Sequence, residues 1–332
     1  MIHTLLQRNF ITAFIVLLLV GAALWLPYSI NPVMEMQFYD LYPMPLYKPL
    51  LSVFGFNPYV GLLLQCACVG FSIFLLSTIN SQFRLIEKRT SFYIFLGILF
   101  AVIFPHYQQF NPMMFAPVLV LLGFLSIFKL YKNERNLRHI YEAGLLFSTA
   151  GLIYVNVYFL TLIVFFGIVI LIPFNWRQWV SAILGIVTPL VFLFSWIVLF
   201  DKLDYFLLIL RQNTINAANV STFSSVFSYI NGAFLALCAL LFIASVCFVF
   251  FGKAVKKVAI HQYYSLLFLF FCFTALCYIV VPWVGIDIFY FSIVPIVFFV
   301  ANYMSNMRRS WSWVPNAVSV VLFALVLVGA FL

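Results

Sequence analysis

The chain has 332 residues, of which 66% are hydrophobic and only 8% are charged. A soluble domain carries about 25% charged residues, so a soluble fold would lack the polar groups needed to cover this much apolar side chain. The net charge is +9, but the basic residues lie in short segments between apolar stretches, which is typical of loops beside a bilayer. The composition therefore predicts an integral membrane protein whose partner is the lipid bilayer. We expect no binding of nucleic acid.

Apolar stretches that could form membrane helices recur along the whole chain. A spanning helix needs about 20 mostly apolar residues, because the hydrocarbon core is about 30 Å thick. The predicted spans, about eleven, are Phe10–Ser29, Tyr59–Thr78, Ser91–Phe104, Pro112–Tyr131, Tyr141–Val155, Tyr158–Ile172, Trp179–Phe200, Asn231–Gly252, Tyr263–Val281, Ile286–Met304 and Val314–Leu332. If the short pair within residues 141–172 does not cross twice, the count falls to about nine. The fold class that follows is an all-α polytopic helix bundle in one membrane domain, residues 1–332.

The distribution of lysine and arginine predicts the orientation of this bundle. When the chain starts in the cytoplasm and crosses eleven times, fourteen of the 17 basic residues fall on the inner side. Only Lys48, Lys202 and Arg211 fall on the outer side. Because cytoplasmic loops are enriched in Lys and Arg, we expect the N-terminus inside and the C-terminus outside.

Two predicted outer loops are longer than the other connections. The first runs from Ile30 to about Pro58, and the second from Asp201 to about Ile230. Both loops mix aliphatic and aromatic residues with a few charges. Within them, the apolar segments Pro49–Phe56 and Tyr205–Leu210 predict short helices lying in the membrane interface with their apolar side toward the lipid. Long loops of this kind are often functional, so we expect any chemistry at the outer face.

The residues that could carry chemistry are few. No soluble-enzyme motif is present, and the scattered histidines do not have metal-pair spacing, so we predict no metal site from them. No Asp, Glu, Lys or Arg lies near the middle of a predicted span, which disfavours ion-coupled transport. Glu142 and Asp287 lie at predicted helix ends, where we expect water to reach them.

The outer face holds the candidate site residues. Asp40, or failing it Glu35, could act as a general base, and such carboxylates could also bind a divalent cation that bridges phosphates. We predict no other cofactor. The candidate substrate-binding residues are Arg211, Asp201, Asp204 and His106, with Arg211 suited to a phosphate. The alternative interpretation is that these residues only solvate the outer loops.

The stretch from Arg138 to Leu190 resembles a family of uncharacterised multi-pass inner-membrane proteins of Bacteroidota. Members begin with a segment like Arg8-Asn9-Phe10 and carry a motif that resembles residues 172–179, IPFNWRQW. The resemblance implies a location in the bacterial inner membrane. Labels of carotene monooxygenase sometimes attached to this family imply an iron site built from several histidines, and we reject them because this sequence has no histidine cluster.

The overall plan is also similar to that of the GT-C class of polytopic glycosyltransferases. That likeness rests on an inner N-terminus, a first outer loop with acidic residues and an interfacial helix, and a long outer loop after the seventh helix. It implies transfer of a sugar from a polyprenyl-phosphate lipid at the periplasmic face, with Asp40 or Glu35 activating the acceptor. Glu35 and Asp40 are five residues apart, so the paired D-x-D or E-x-D pattern is not present.

Three hypotheses of function follow. The first is a GT-C-like transferase of the cell envelope. The second is a non-catalytic membrane scaffold or assembly subunit of an envelope machine, whose protein partners the sequence does not identify. The third is a transporter of a lipid or small molecule, which the lack of charge within the spans disfavours.

Overall fold

A computed structural model of the protein describes residues 43–54, 58–86, 88, 90–103, 111–131, 137–214, 229–252, 257–307 and 313–331. The helices of the first half are α1 (Tyr47–Phe54), α2 (Pro58–Phe83), α3 (Phe92–Ile103), α4 (Ala116–Phe128), α5 (Leu137–Ile153), α6 (Val157–Leu160) and α7 (Leu162–Leu171). Those of the second half are α8 (Trp176–Leu199), α9 (Leu203–Thr214), α10 (Tyr229–Phe251), α11 (Val258–Val280), α12 (Ile293–Asn306) and α13 (Trp313–Phe331). Short 3₁₀ helices, Pro112–Met114 and Ile286–Tyr290, precede α4 and α12.

The all-helical prediction is confirmed for the described residues. Each predicted span from residue 59 onward coincides with a helix, or with a pair of consecutive helices, to within a few residues. Among the described residues, four helices are by length and composition able to cross a membrane, namely Tyr59–Phe83, Trp176–Leu199, Gly232–Phe251 and Val258–Val280. The first predicted span, Phe10–Ser29, lies outside the described residues. The number of crossings and the orientation stay predictions.

The region 141–172 contains three helices rather than two. A turn at residues 154–156 separates α5 from α6, and Thr161 separates α6 from α7. The side chain of Asn156 is buried in the turn, where its Nδ2 donates a hydrogen bond of 2.9 Å to the hydroxyl of Tyr154. The break after α5 falls where we predicted it, and whether this region crosses the membrane twice stays open.

Helices α5 and α8 pack closely because glycines face each other across their contact. A Cβ at Gly144 would lie 2.8 Å from the carbonyl oxygen of Ala182, and one at Gly185 would meet the carbonyl oxygen of Tyr141. The close approach lets the hydroxyl of Ser148 donate a hydrogen bond of 2.7 Å to the carbonyl oxygen of Ile186. Small residues and interhelical hydrogen bonds of this kind stabilise helix pairs where the surrounding lipid is as apolar as the side chains.

Aromatic side chains fill the centre of the bundle. Phe124 of α4 lies edge-on to Phe270 of α11, with ring centroids 4.8 Å apart, and to Phe147 of α5 at 5.8 Å. The buried hydroxyl of Tyr264 lies 3.1 Å from the carbonyl oxygen of Leu85, to which it donates. These contacts join α4, α5 and α11 with the segment that follows α2.

One expectation about ionisable residues is wrong. We expected water to reach Asp287, but its side chain is only 3% exposed, in the 3₁₀ helix Ile286–Tyr290. The reason is tertiary: this short helix lies against α11, where the hydroxyls of Thr274 and Ser292 are 2.5 Å apart. A position near the end of an apolar stretch therefore did not reveal burial by neighbouring helices.

Candidate functional site

A groove of about 1000 Å³ lies between α1, α5, α8 and α9. It is larger than an apolar cavity of about 550 Å³ that α10, α11 and α12 line with α3. The residues lining the groove are Pro45, Leu46, Lys48, Pro49, Ser52, Leu145, Thr149, Leu152, Thr188, Pro189, Phe192, Leu193, Trp196, Ile197, Lys202, Tyr205, Phe206 and Ile209. Both segments that we predicted as interfacial helices, which correspond to α1 and α9, therefore take part in one concave surface.

The turn after α8 brings α9 to the groove. The backbone N–H of Lys202 donates to the carbonyl oxygen of Ile197 at 3.0 Å, and that of Asp201 donates to Val198 at 3.3 Å. Asp201 has a φ of 50°, in the left-handed region. This pair of hydrogen bonds with a left-handed residue is the Schellman arrangement that ends many helices. Asp201 therefore has a backbone role in placing Lys202 and α9.

The walls of the groove are largely apolar. Its three Ser and Thr hydroxyl groups bond within their own segments: Thr149 to the carbonyl oxygen of Leu145, Thr188 to that of Leu184, and Ser52 to that of Pro49. Since these donors are already engaged, the surface they leave is suited to a hydrocarbon chain. Phe192 and Trp196, on the outward side of α8, are exposed, so the groove is open along the side of the helix bundle.

The charged groups of the groove gather at the end near α1 and the α8–α9 turn. The Nζ of Lys48 donates a hydrogen bond of 2.9 Å to the hydroxyl of Tyr205 and lies 4.4 Å from the centre of its ring. The Nζ of Lys202 lies 4.7 Å from the centre of the Trp196 ring. Such cation–π contacts hold ammonium groups against aromatic surface without neutralising them. The end of the groove thus carries two positive charges.

The structure describes three of the predicted site residues. Asp201, Asp204 and Arg211 are all exposed, and the described residues that line the groove include none of them. At about 100° per residue, Asp204 and Arg211 project from the face of α9 opposite to Tyr205, Phe206 and Ile209. Their proposed contacts with substrate stay predictions.

The other predicted site residues, Glu35, Asp40 and His106, lie outside the described residues. Within the part of the chain that the structure describes, no group of three or more His, Cys, Asp or Glu residues could hold a metal ion. The divalent cation predicted at the outer carboxylates stays a prediction, because Glu35 and Asp40 would be its ligands.

Lys48 and Lys202 were not among the residues that we predicted for the site. A signal was present, since they are two of the only three basic residues on the predicted outer side. Each also lies beside residues that we predicted to form an interfacial helix. The positions of these lysines served only to predict the orientation of the bundle in the membrane.

These observations define the class of protein. The long apolar helices, α2, α8, α10 and α11, and the apolar side chains exposed along α8 define an integral membrane protein with several membrane helices. No family model, curated protein or solved structure matches the chain. What it does must therefore be argued from the groove and its charged end.

Proposed function

We propose that the protein is a membrane-embedded, GT-C-like transferase that uses a sugar carried on a polyprenyl-phosphate lipid at the periplasmic face of the bacterial inner membrane. The observation that carries the proposal is the groove between α1, α5, α8 and α9, which is apolar, open along the bundle and charged at one end. A lipid-linked substrate has the same plan, with a long apolar chain and a polar reacting group. The groove therefore suits a lipid substrate better than a soluble one.

The proposed reaction needs a base near the charged end of the groove. A hydroxyl of the acceptor forms a bond to the anomeric carbon of the sugar while the bond from that carbon to the phosphate oxygen of the lipid breaks. Asp40 takes the proton from the hydroxyl, with Glu35 as the alternative base, and the lipid phosphate leaves with the bonding electrons. Asp40 precedes Pro45 and Leu46, which line the groove, by five and six positions.

The outward face of α9 suits the second substrate in this proposal. Asp204 and Arg211 are exposed there, on the opposite side of the helix from the groove. A polar acceptor could reach them without entering the groove.

The experiment compares sugar transfer by wild-type protein and by Asp40→Asn. Each purified protein is placed in lipid nanodiscs with a labelled polyprenyl-phosphate hexose and membranes from cells that lack the gene as the source of acceptor. We expect the substitution to slow release of polyprenyl phosphate by about 100-fold or more, because loss of a general base typically costs that much. Glu142→Gln, which removes a carboxylate that does not line the groove, is the control and should keep the rate.

Two results would count against the proposal. One is an unchanged rate for the Asp40→Asn and Glu35→Gln double variant. The other is a wild-type protein that transfers no sugar under conditions in which an unrelated lipid-dependent transferase is active.

A second function is favoured by the surface of α8. Only 17% of its spanning window is buried, and its exposed side chains are large and apolar, as in Phe192 and Leu199. Such a face suits a helix of another membrane protein, as in a scaffold or assembly subunit. The test is stable co-purification of a partner protein. This function is favoured over transfer if a variant of the α8 surface loses the partner, while Asp40→Asn keeps both the partner and the cellular role of the gene.

A further inference from the structure

The two lysines of the groove lie in a setting that keeps their charge available. Within the described part of the chain, the ion pairs are those that Glu142 makes with Arg138 and His139, so neither Lys48 nor Lys202 is neutralised by a described carboxylate. Lys48 reaches its position from α1, while Lys202 comes from the α8–α9 turn, 154 positions later in the sequence. Two independent segments thus bring positive charge to the same end of an apolar groove.

Tyr205 holds Lys48 in this arrangement. Its hydroxyl accepts a hydrogen bond from the Nζ of Lys48, which leaves the hydroxyl proton free to be donated to a further oxygen. Lys202 lies just before α9 with its Nζ against the ring of Trp196, and both Lys202 and Tyr205 line the groove. An anion between the lysines would therefore meet two ammonium groups and a hydroxyl donor.

The charge at the groove end indicates which kind of lipid fits. A phosphate monoester carries about −1.5 to −2 charges at neutral pH, whereas the phosphodiester of a phospholipid carries one. Two lysines balance the monoester. The groove is open along the bundle, so the hydrocarbon part of such a lipid can lie along it.

We propose that Lys48 and Lys202, with Tyr205 positioning Lys48, bind the phosphate monoester of a lipid phosphate whose hydrocarbon part lies in the groove. This inference rests on the proposed function and adds its specificity: the lysines prefer the lipid carrier after its sugar has left, because the phosphate of the lipid-linked sugar is a diester with one charge. The same site would hold the polyprenyl phosphate that is left after sugar transfer.

The test measures lipid binding without any sugar donor. Full-length protein in phosphatidylcholine nanodiscs is titrated with polyprenyl phosphate, with the matching polyprenol and with phosphatidylglycerol. We expect polyprenyl phosphate to bind roughly 10- to 100-fold more tightly than polyprenol, because hydrogen bonds to charged groups are the strong ones. The Lys48→Gln/Lys202→Gln variant should bind the two lipids equally.

Matched controls come from basic residues elsewhere on the chain. Arg177 lies at the other end of α8, and Arg211 lies on the opposite face of α9. The variants Arg177→Gln and Arg211→Gln should therefore both keep the preference for polyprenyl phosphate over polyprenol. Since Lys48 and Lys202 are exposed, the double variant should also keep the thermal stability of the wild-type protein without ligand. Thr149→Trp, which fills the groove, should weaken binding of polyprenyl phosphate and polyprenol alike.

The inference is overturned if the double variant keeps the preference for polyprenyl phosphate, or if phosphatidylglycerol displaces that lipid at equal concentration. It is also overturned if Arg211→Gln, rather than the lysine variant, removes the preference. These outcomes do not depend on sugar transfer, because the binding assay contains no sugar donor and does not require Asp40 to act as a base. A protein that binds polyprenyl phosphate through the lysines but transfers no sugar would contradict the proposed function alone.

Discussion

At the scale of single residues, Asp201 shows why a polar residue at a predicted site needs two separate tests. Its carboxylate is exposed beside the groove, but its backbone adopts a φ of 50° and closes the turn after α8. Asp tolerates this left-handed conformation better than most residues, because its short side chain can bond locally. A loss of function in an Asp201 variant could therefore come from a displaced α9 rather than from a missing charge.

Replacing Asp201 by Gly and by Val separates the two roles. Glycine adopts a positive φ freely, so the free energy of unfolding of Asp201→Gly should lie within roughly 0.5 kcal/mol of the wild-type value. Valine is strained there, so Asp201→Val should lose about 1–3 kcal/mol. Thermal unfolding in detergent checks both values. Equal stability of the two variants would contradict the role of the turn, while lipid binding lost in a stable Asp201→Gly would assign a function to the carboxylate.

The site could be predicted from the sequence only in part, and Lys48 shows the reason. The charge count placed Lys48 on the outer side, and the amphipathic pattern predicted helices where α1 and α9 lie. The hydrogen bond from Lys48 to Tyr205 joins residues 157 positions apart, and no local pattern encodes such a pairing. The face of α9 that carries Arg211 was likewise undefined until the groove showed which side of that helix is turned inward.

At the scale of elements, hydrophobic length predicted most helices because each must bury or cover a run of apolar side chains. It did not predict where helices end at a polar or conformational feature. Asn111 caps the 3₁₀ helix Pro112–Met114 by accepting a hydrogen bond of 2.7 Å from the N–H of Met113, so α4 begins later than the apolar run. The sequence also did not reveal which helices pack together. It contains the glycines that join α5 to α8, but no local pattern indicates that these two helices are the ones in contact.

A pair of glycine substitutions tests the α5–α8 contact. Ala at position 185 would push its Cβ against the carbonyl oxygen of Tyr141, whereas Ala at Gly70 of α2 would meet no atom within 4 Å. Both changes gain the same helix propensity, so their difference isolates the clash. We expect Gly185→Ala to be less stable than Gly70→Ala by about 1–3 kcal/mol in an SDS unfolding titration. Equal stability would mean that α5 and α8 pack less closely than described.

At the scale of the whole molecule, the helix surfaces that no other helix covers are apolar rather than polar. Of the four long apolar helices, α11 has the most buried window, at 39%, and α8 the least, at 17%. In water the exposed side of α8 would be costly, but in lipid it needs no cover. The groove opens on this side, so its contents would exchange with the bilayer rather than with bulk water.

The topology on which every statement about an outer face depends can be tested with three single cysteines. In a background without the native cysteines, Arg177→Cys and Asp204→Cys flank α8, and Lys257→Cys precedes α11. The excess of basic residues predicts that the sites at 177 and 257 face the cytoplasm and the site at 204 faces outward. A membrane-impermeant maleimide should therefore label only Asp204→Cys in intact cells, and all three after permeabilisation.

Each alternative result has a distinct meaning, because α8 connects the charged end of the groove to the basic loop at its start. Labelling of the sites at 177 and 204 from the same side would show that α8 does not cross, despite being 24 residues long. Labelling of 177 and 257 but not 204 would keep the crossing and reverse the orientation. In that case Lys48 and Lys202 would bind their lipid at the cytoplasmic face, where a sugar nucleotide, rather than a lipid-linked sugar, would be the accessible donor.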